Sequence, residues 1–188
     1  MIPGQVRSGT PVEQDAVRRL TTGVTVLTVA DGQSVHGATV SAVSLVARDP
    51  LIVCAGLRTG SVLSGLALDS GRFAVNVLSE RQALVADWFA NPARPGGREQ
   101  FALVGWRQHP ETGIPLLDNT LAVLLCRVHR HVPAGDHELL LGEVDEATVG
   151  VGSPLVSFDG ALYGAEFRDV ARHRGWRNVT TVATTTLD

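Results

Sequence analysis

Past residue 100 the chain is almost continuous strand signal. Stretches at 101–108, 121–132, 137–149, 155–158 and 162–167 are rich in β-branched and aliphatic residues, with turns at Pro133-Ala134-Gly135-Asp136 and Asp159-Gly160. Several long strands with few helices predict a closed antiparallel barrel, because closure removes exposed sheet edges. The first half is mixed. Thr10-Pro11-Val12-Glu13 combines an N-cap hydroxyl, a proline at the first helical position and a glutamate at N3, which predicts a helix running to about Leu20. Residues 24–30 read as a strand closed by Asp31-Gly32, 35–47 as one extended run, 51–57 as a strand, 61–68 as a short helix and 72–78 as a strand. Ser79 with Gln82 marks a second helix start, and 91–98 (NPARPGGR) is the most loop-like segment.

Apolar residues at 44% and charged residues at 19% suit a compact domain of this length. The 16 basic residues are all arginine, and that excludes mechanisms. Schiff-base chemistry needs a lysine amine, and so does a Walker A loop. Any phosphate held here is held by arginine, hydroxyls or backbone amides. A net charge of −3 argues against nucleic acid as a partner. Residues 168–177 concentrate Arg168, Arg172, Arg174 and Arg177 with His173 and Trp176, a pattern that a solvated tail or a subunit contact accounts for. No signal peptide precedes residue 10, and the apolar runs at 51–57 and 121–126 are too short to span a bilayer, so the expectation is a cytoplasmic chain without a membrane partner. Cys54 and Cys126 sit in those runs without metal-type spacing and read as buried structural thiols, with no metal site expected.

Three segments carry candidate chemistry. In 37–44 (GATVSAVS) small residues alternate, so a flat ring could approach the backbone and take hydrogen bonds; taken alone, an inner strand whose hydroxyls satisfy neighbouring backbone is the simpler account. Arg58-Thr59-Gly60-Ser61 opens a helix after a buried strand. It converges free N–H groups, hydroxyls and a guanidinium as a phosphate requires; a plain N-cap by Thr59 or Ser61 with a solvent-facing arginine fits equally. Gly135-Asp136-His137 stands at a strand-to-strand turn, where Asp136 can orient the imidazole. Neither GxGxxG nor GxxxxGK[ST] is present, so a dinucleotide is not held in Rossmann fashion.

In order along the chain, GVTVLTV (23–29), GATVSAVSLVARDPLIV (37–53), SGRFAVNVL (70–78), WFA (88–90), GIPLL (113–117), LAVLLCRV (121–128), GDHELLLGEV (135–144) and PLVSFDGALYG (154–164) resemble the flavin reductase family, the small partners of two-component flavin-dependent monooxygenases. The resemblance covers about 16–167 and implies a mainly β chain, a homodimeric six-stranded antiparallel Greek-key split barrel with flanking helices over 1–167, followed by a tail at 168–188. It implies hydride transfer from NADH or NADPH to FMN or FAD, with the reduced flavin diffusing to a monooxygenase. By the same resemblance Thr39, Val40, Ser41 and Ala42 meet the isoalloxazine edge, Arg58, Thr59 and Ser61 hold the ribityl phosphate, His137 sits near the nicotinamide as the catalytic candidate, and Tyr163 helps close that face. One departure stands out: where the family shows an acidic-then-basic pair before phenylalanine, this chain has Glu99-Gln100-Phe101, leaving Arg98 to supply the cation. The same barrel also serves split-barrel oxidases with fixed FMN and an organic substrate, and fold alone permits a non-catalytic flavin-binding protein.

Overall fold

The computed structural model describes residues 9–32 and 34–167 of the chain. The arginine-rich stretch at 168–177 lies outside the described residues. Helix α1 (Pro11–Arg18) begins at the predicted capping box: Glu13 N–H donates to Thr10 Oγ1 at 3.3 Å and Thr10 N–H to the Glu13 carboxylate at 2.6 Å. It ends short of Leu20 and buries no residue, so its local cap and not a packed face fixes it.

Strands β1 (Thr22–Gly23), β2 (Thr25–Asp31) and β3 (Ser34–Val40) follow, with β2 and β3 paired about the Asp31-Gly32 turn. The extended run at 35–47 is not one strand. It breaks at Ser41-Ala42 into β3 and β4 (Val43–Arg48), and β4 pairs with β5 (Leu51–Arg58). Helix α2 (Val62–Ser70) starts at Ser61, whose Oγ accepts from Ser64 N–H, and stops at Gly71 in the left-handed region. Then come β6 (Arg72–Val77), a single turn over Glu80–Gln82, α3 (Ala83–Ala90) and a second turn over Gly97–Phe101. The second half contains β7 (Trp106–Gln108), β8 (Pro115–Leu117), β9 (Ala122–Ala134), β10 (His137–Val149), β11 (Leu155–Phe158) and β12 (Ala161–Gly164). The strand expected over 101–108 survives only as β7, because Phe101 is spent as a buried plug between Phe89 and Trp106, with ring centroids 5.3 and 5.2 Å away.

The main sheet is antiparallel throughout, in the order β3-β2-β6-β9-β10-β5-β4. Its two edges are therefore consecutive strands joined by only Ser41-Ala42. A sheet can satisfy that connection only by curling until its edges meet at a seam beside Ser41-Ala42, up to which Gly56 N–H, donating to Ala42 C=O at 2.8 Å, extends the β4-β5 ladder. The strand count becomes seven and not six because the 35–47 run contributes both edges. A three-stranded sheet β1-β11-β12 and the β7-β8 pair complete the mainly β architecture.

Two apolar clusters fill the interior. One, inside the barrel and plugged by α2, holds Leu27, Leu63, Phe73, Val75, Cys126 and Leu140. The other, under α3 and the second turn, holds Phe89, Phe101, Ile114, Leu117 and Leu125. Asn76, fully buried, ties β8 to the barrel: its amide donates to Val26 C=O and Thr28 Oγ1, and its Oδ1 accepts from Leu117 N–H at 2.8 Å.

Candidate functional site

Register brings the predicted segments together on one outer face. In β10, His137 and Leu139 point outward while Glu138 and Leu140 are buried, the alternation of a half-covered strand. His137 pairs with Arg58 and Leu139 with Gly56 on β5; on β9, Ala134 and Val132 stand opposite the same two residues. Directly paired residues project to the same side. The result is a shallow platform with an apolar floor of Gly56, Leu139 and Val132, bounded by Ala42 at the seam and by Arg58 and His137 at the turn end. Gly56 keeps the floor flat, since a Cβ there would lie 3.2 Å from the Ala42 Cβ.

The polar end is held by neighbouring backbone. Thr59 N–H donates to Asp136 C=O at 3.1 Å, which fastens the 58–61 turn to the β9-β10 hairpin. His137 Nδ1 lies 2.8 Å from Asp136 Oδ1, so the carboxylate orients the half-exposed imidazole. The His137 hydrogen bond and charge, with Arg58 nearby, hold the Asp136 carboxyl below its ordinary range. Fewer amides are free at the turn than the sequence suggests. Those of Thr59, Ser61 and Ser64 already donate to Asp136 C=O, Arg58 C=O and Ser61 Oγ. The Gly60 N–H faces the buried Glu138 carboxylate. Among the described residues this leaves the Arg58 guanidinium, the Thr59 and Ser61 hydroxyl hydrogens and the Val62 and Leu63 amides for an anion.

The other predicted residues divide. Ser41 and Ala42 are exposed beside the platform, as expected for a rim. Thr39 and Val40 are not available in the way expected: Thr39 Oγ1 donates to Ala86 C=O at 2.6 Å, and Val40 is buried in the barrel with its C=O accepting from Thr25 Oγ1. Gly37 is small for an internal reason, because a Cβ there would meet the Phe89 ring at 2.8 Å and that of Phe101 at 3.3 Å. Tyr163, on β12, is half-exposed and edge-on to Phe158. No hydrogen bond or ring contact among the described residues joins it to Arg58 or His137.

The Glu99-Gln100-Phe101 departure has a structural explanation. Gln100 is fully buried: its Oε1 accepts from Gly37 N–H at 2.9 Å, and its amide donates to Val35 and Gly97 C=O. A lysine or arginine there has no acceptor for the Gly37 N–H. The nearby positive charge comes from Arg94 and not from Arg98. Arg94 donates to Gly37 C=O, approaches His36 Nε2 at 3.3 Å and sits over the Phe89 ring at 5.8 Å. Burial first, and Arg94 second, push the His36 imidazole below its ordinary value. Sequence reasoning missed Gly56, Arg94 and Glu138. Only the broken family pattern at Gln100 signalled anything in this region.

A cleft of about 990 Å³ lies away from the platform, beside Glu80, Arg81, Asp118 and Gly152. Its polar residues serve the chain's own turns: Ser79 N–H donates to Gln82 Oε1, and Gln82 Nε2 to Asp118 C=O. The platform is therefore the better candidate for chemistry. Both cysteines are free, and burial pushes the Cys126 thiol up to about 12. Among the described residues no cluster of metal-ligating side chains occurs.

Residues 17–166 match the family described as the flavin reductase like domain. The chain is 49% identical over 156 residues to an NADPH-flavin oxidoreductase of Streptomyces viridifaciens, covering 82% of this chain and 80% of that protein. It is 36% identical over 152 residues to the reductase component of a 4-nitrophenol 4-monooxygenase/4-nitrocatechol 2-monooxygenase of Rhodococcus opacus, covering 78% and 76%. Among solved structures, the Streptomyces globisporus NADH:FAD oxidoreductase in complex with NAD and FAD fragments superposes with a TM-score of 0.76 at 29% identity, covering 85% of this chain and 93% of that one. Barrel topology, the order of motifs and these likenesses agree, and the chain belongs to the flavin reductase family.

Proposed function

We propose that the platform between β4, β5 and β10 is where this oxidoreductase takes up FMN or FAD and receives hydride from NADH or NADPH. The carrying observation is the Gly56 floor, an open apolar cradle that a Cβ would begin to fill, with a guanidinium and an oriented imidazole opposite one another at its end. These residues suit a flavin: Gly56, Leu139 and Val132 offer a surface for a flat ring, Ser41 and Ala42 an exposed rim, and Arg58, Thr59 and Ser61 an anion contact made without lysine. When bound, the flavin supplies the hydride-accepting ring and a nicotinamide supplies the hydride.

The chain's own part is positioning. Asp136 fixes the His137 ring so that its other nitrogen faces an incoming group, and the rigid β5-β10 ladder keeps Arg58 in register with it. Thr39 and Val40 act from beneath, holding β3 to α3 and β2. Tyr163 joins the site only across a subunit contact. A homodimer is supported by the exposed apolar residues Leu45, Val46 and Leu51, which continue from the platform onto β4 and the start of β5. Reduced flavin then passes to a monooxygenase, as the names of the relatives suggest. The domain spans 1–167 with 168–188 as a tail, in keeping with the matched residues 17–166. Two unpaired thiols favour the cytoplasm, and among the described residues no helix is long and apolar enough to cross a membrane.

The experiment is steady-state oxidation of NADH and NADPH by purified protein with and without FMN, FAD and riboflavin. Oxidation that depends on added flavin is expected, and Gly56→Ala, whose Cβ needs Ala42 to yield only slightly, should raise the flavin KM. Nicotinamide oxidation that never depends on flavin refutes the reading.

A further inference from the structure

Beneath the 58–61 turn lies a charge that the proposed phosphate contact does not use. Glu138 follows His137 on β10 and points inward, its side chain only 7% exposed. It pairs in register with Leu57, immediately before the turn, and its carboxylate contacts His131 Nε2 across the β9-β10 hairpin. The Ser64 hydroxyl, then His131 and the Gly60 N–H, keep the carboxyl below its ordinary range, against the opposing effect of burial, so it is an anion in the folded chain. Ser64 itself is 1% exposed, one turn into α2. A negative charge thus lies beneath the turn that leads into α2, close to the amides that would draw a phosphate.

We propose that Glu138 is a specificity-determining residue that weakens the hold on the flavin phosphate, so that flavin is exchanged as a substrate and not kept as a fixed cofactor. This rests on the placement of the phosphate at Arg58, Thr59 and Ser61. Two like charges on either side of one turn repel, and the low-dielectric side on which Glu138 lies screens that repulsion poorly. Arg58 and His137 attract the phosphate from the solvent side; Glu138 and Asp136 oppose them. The balance favours release, which a chain that hands its reduced flavin to another protein requires.

The test measures dissociation constants of FMN and of riboflavin, which lacks the phosphate, for wild type, Arg58→Gln and Glu138→Gln, by quenching of flavin fluorescence at about pH 8, above the ordinary imidazole range. Glu138→Gln should tighten FMN about five- to tenfold and leave riboflavin unchanged. Arg58→Gln should weaken FMN alone. If Arg58→Gln selectively weakens FMN while Glu138→Gln leaves the FMN-to-riboflavin ratio unchanged, or raises it, the inference is overturned and the phosphate placement stands. If Arg58→Gln shifts neither ligand selectively, the placement fails and the inference with it. Should Glu138→Gln lose the native circular dichroism spectrum, Glu138→Thr, which suits a strand, carries the same comparison.

Discussion

One substitution, glycine to alanine, should have opposite effects at two positions, and the packing says why. Gly142 lies in β10 at a register shift against β9, directly over the barrel core. A Cβ there would stand 2.4 Å from Phe73 Cζ, 2.7 Å from Phe73 Cε1 and 2.8 Å from Cys126 Cβ. Phe73 and Cys126 are both fully buried, so neither can swing into solvent. Restoring ordinary contact near 3.5 Å requires a shift of about 1 Å between paired central strands. Overpacking of this kind costs about 1–3 kcal/mol, and the absence of a yielding side chain puts Gly142→Ala at the upper end, about 3 kcal/mol. For a chain of this size that is a fall in Tm of about 6–12 °C. Gly65 sits on the exposed face of α2 with nothing within 4 Å of its added Cβ. There alanine restores helix propensity, and Gly65→Ala should stabilise by about 0.5–1 kcal/mol, or about 1–4 °C. Thermal unfolding followed by circular dichroism at matched concentration measures both. A Gly142→Ala protein melting within about a degree of wild type would refute the barrel packing described at Phe73 and Cys126.

Three further outcomes follow from buried polar groups and thiols. Asn76→Ala removes the donor to Val26 and Thr28 and orphans the Leu117 N–H inside the core, so urea unfolding should show a loss of about 3 kcal/mol, whereas a loss under about 1 kcal/mol would mean that water replaces the amide. His36 has its folded pKa below the ordinary 6.5, so the unfolded chain takes up the proton first as pH falls; its stabilising contribution is complete above 6.5 and is lost below it. Denaturant midpoints should therefore fall between about pH 7 and 5, and His36→Asn should flatten part of that slope. With its thiol pushed up to about 12, Cys126 should resist an aromatic disulfide reagent at neutral pH until the chain is denatured; prompt labelling of both cysteines in native protein would contradict its burial.

Much of this was legible in the sequence where the determinant was local. The capping boxes at Thr10 and Ser79 formed as written, and β10 and β11 fell on their expected residues, since caps and turns act over three or four positions. The 35–47 run was misread as one strand because its break at Ser41-Ala42 follows from closure of the sheet, and the dipeptide holds no glycine, proline, asparagine or aspartate to mark a turn. Phe101 looked like the start of a strand because nothing near it in sequence shows that it must cover Gly37, 64 positions away.

The candidate site divides along the same line. The lack of lysine, the Arg58-Thr59-Gly60-Ser61 turn and the Asp136-His137 pair were fixed by residue identity, and with the order of motifs they determined the family and the type of anion contact available. Tertiary structure alone decided that Gly56 forms the floor while Gly37 serves the core, that Arg94 and not Arg98 supplies the nearby cation, and that the buried Glu138 carboxylate lies beneath the 58–61 turn. The physical reason is common to all three: hydrogen bonds, close packing and charge act through space, and antiparallel register sets side by side residues separated by dozens of positions along the chain.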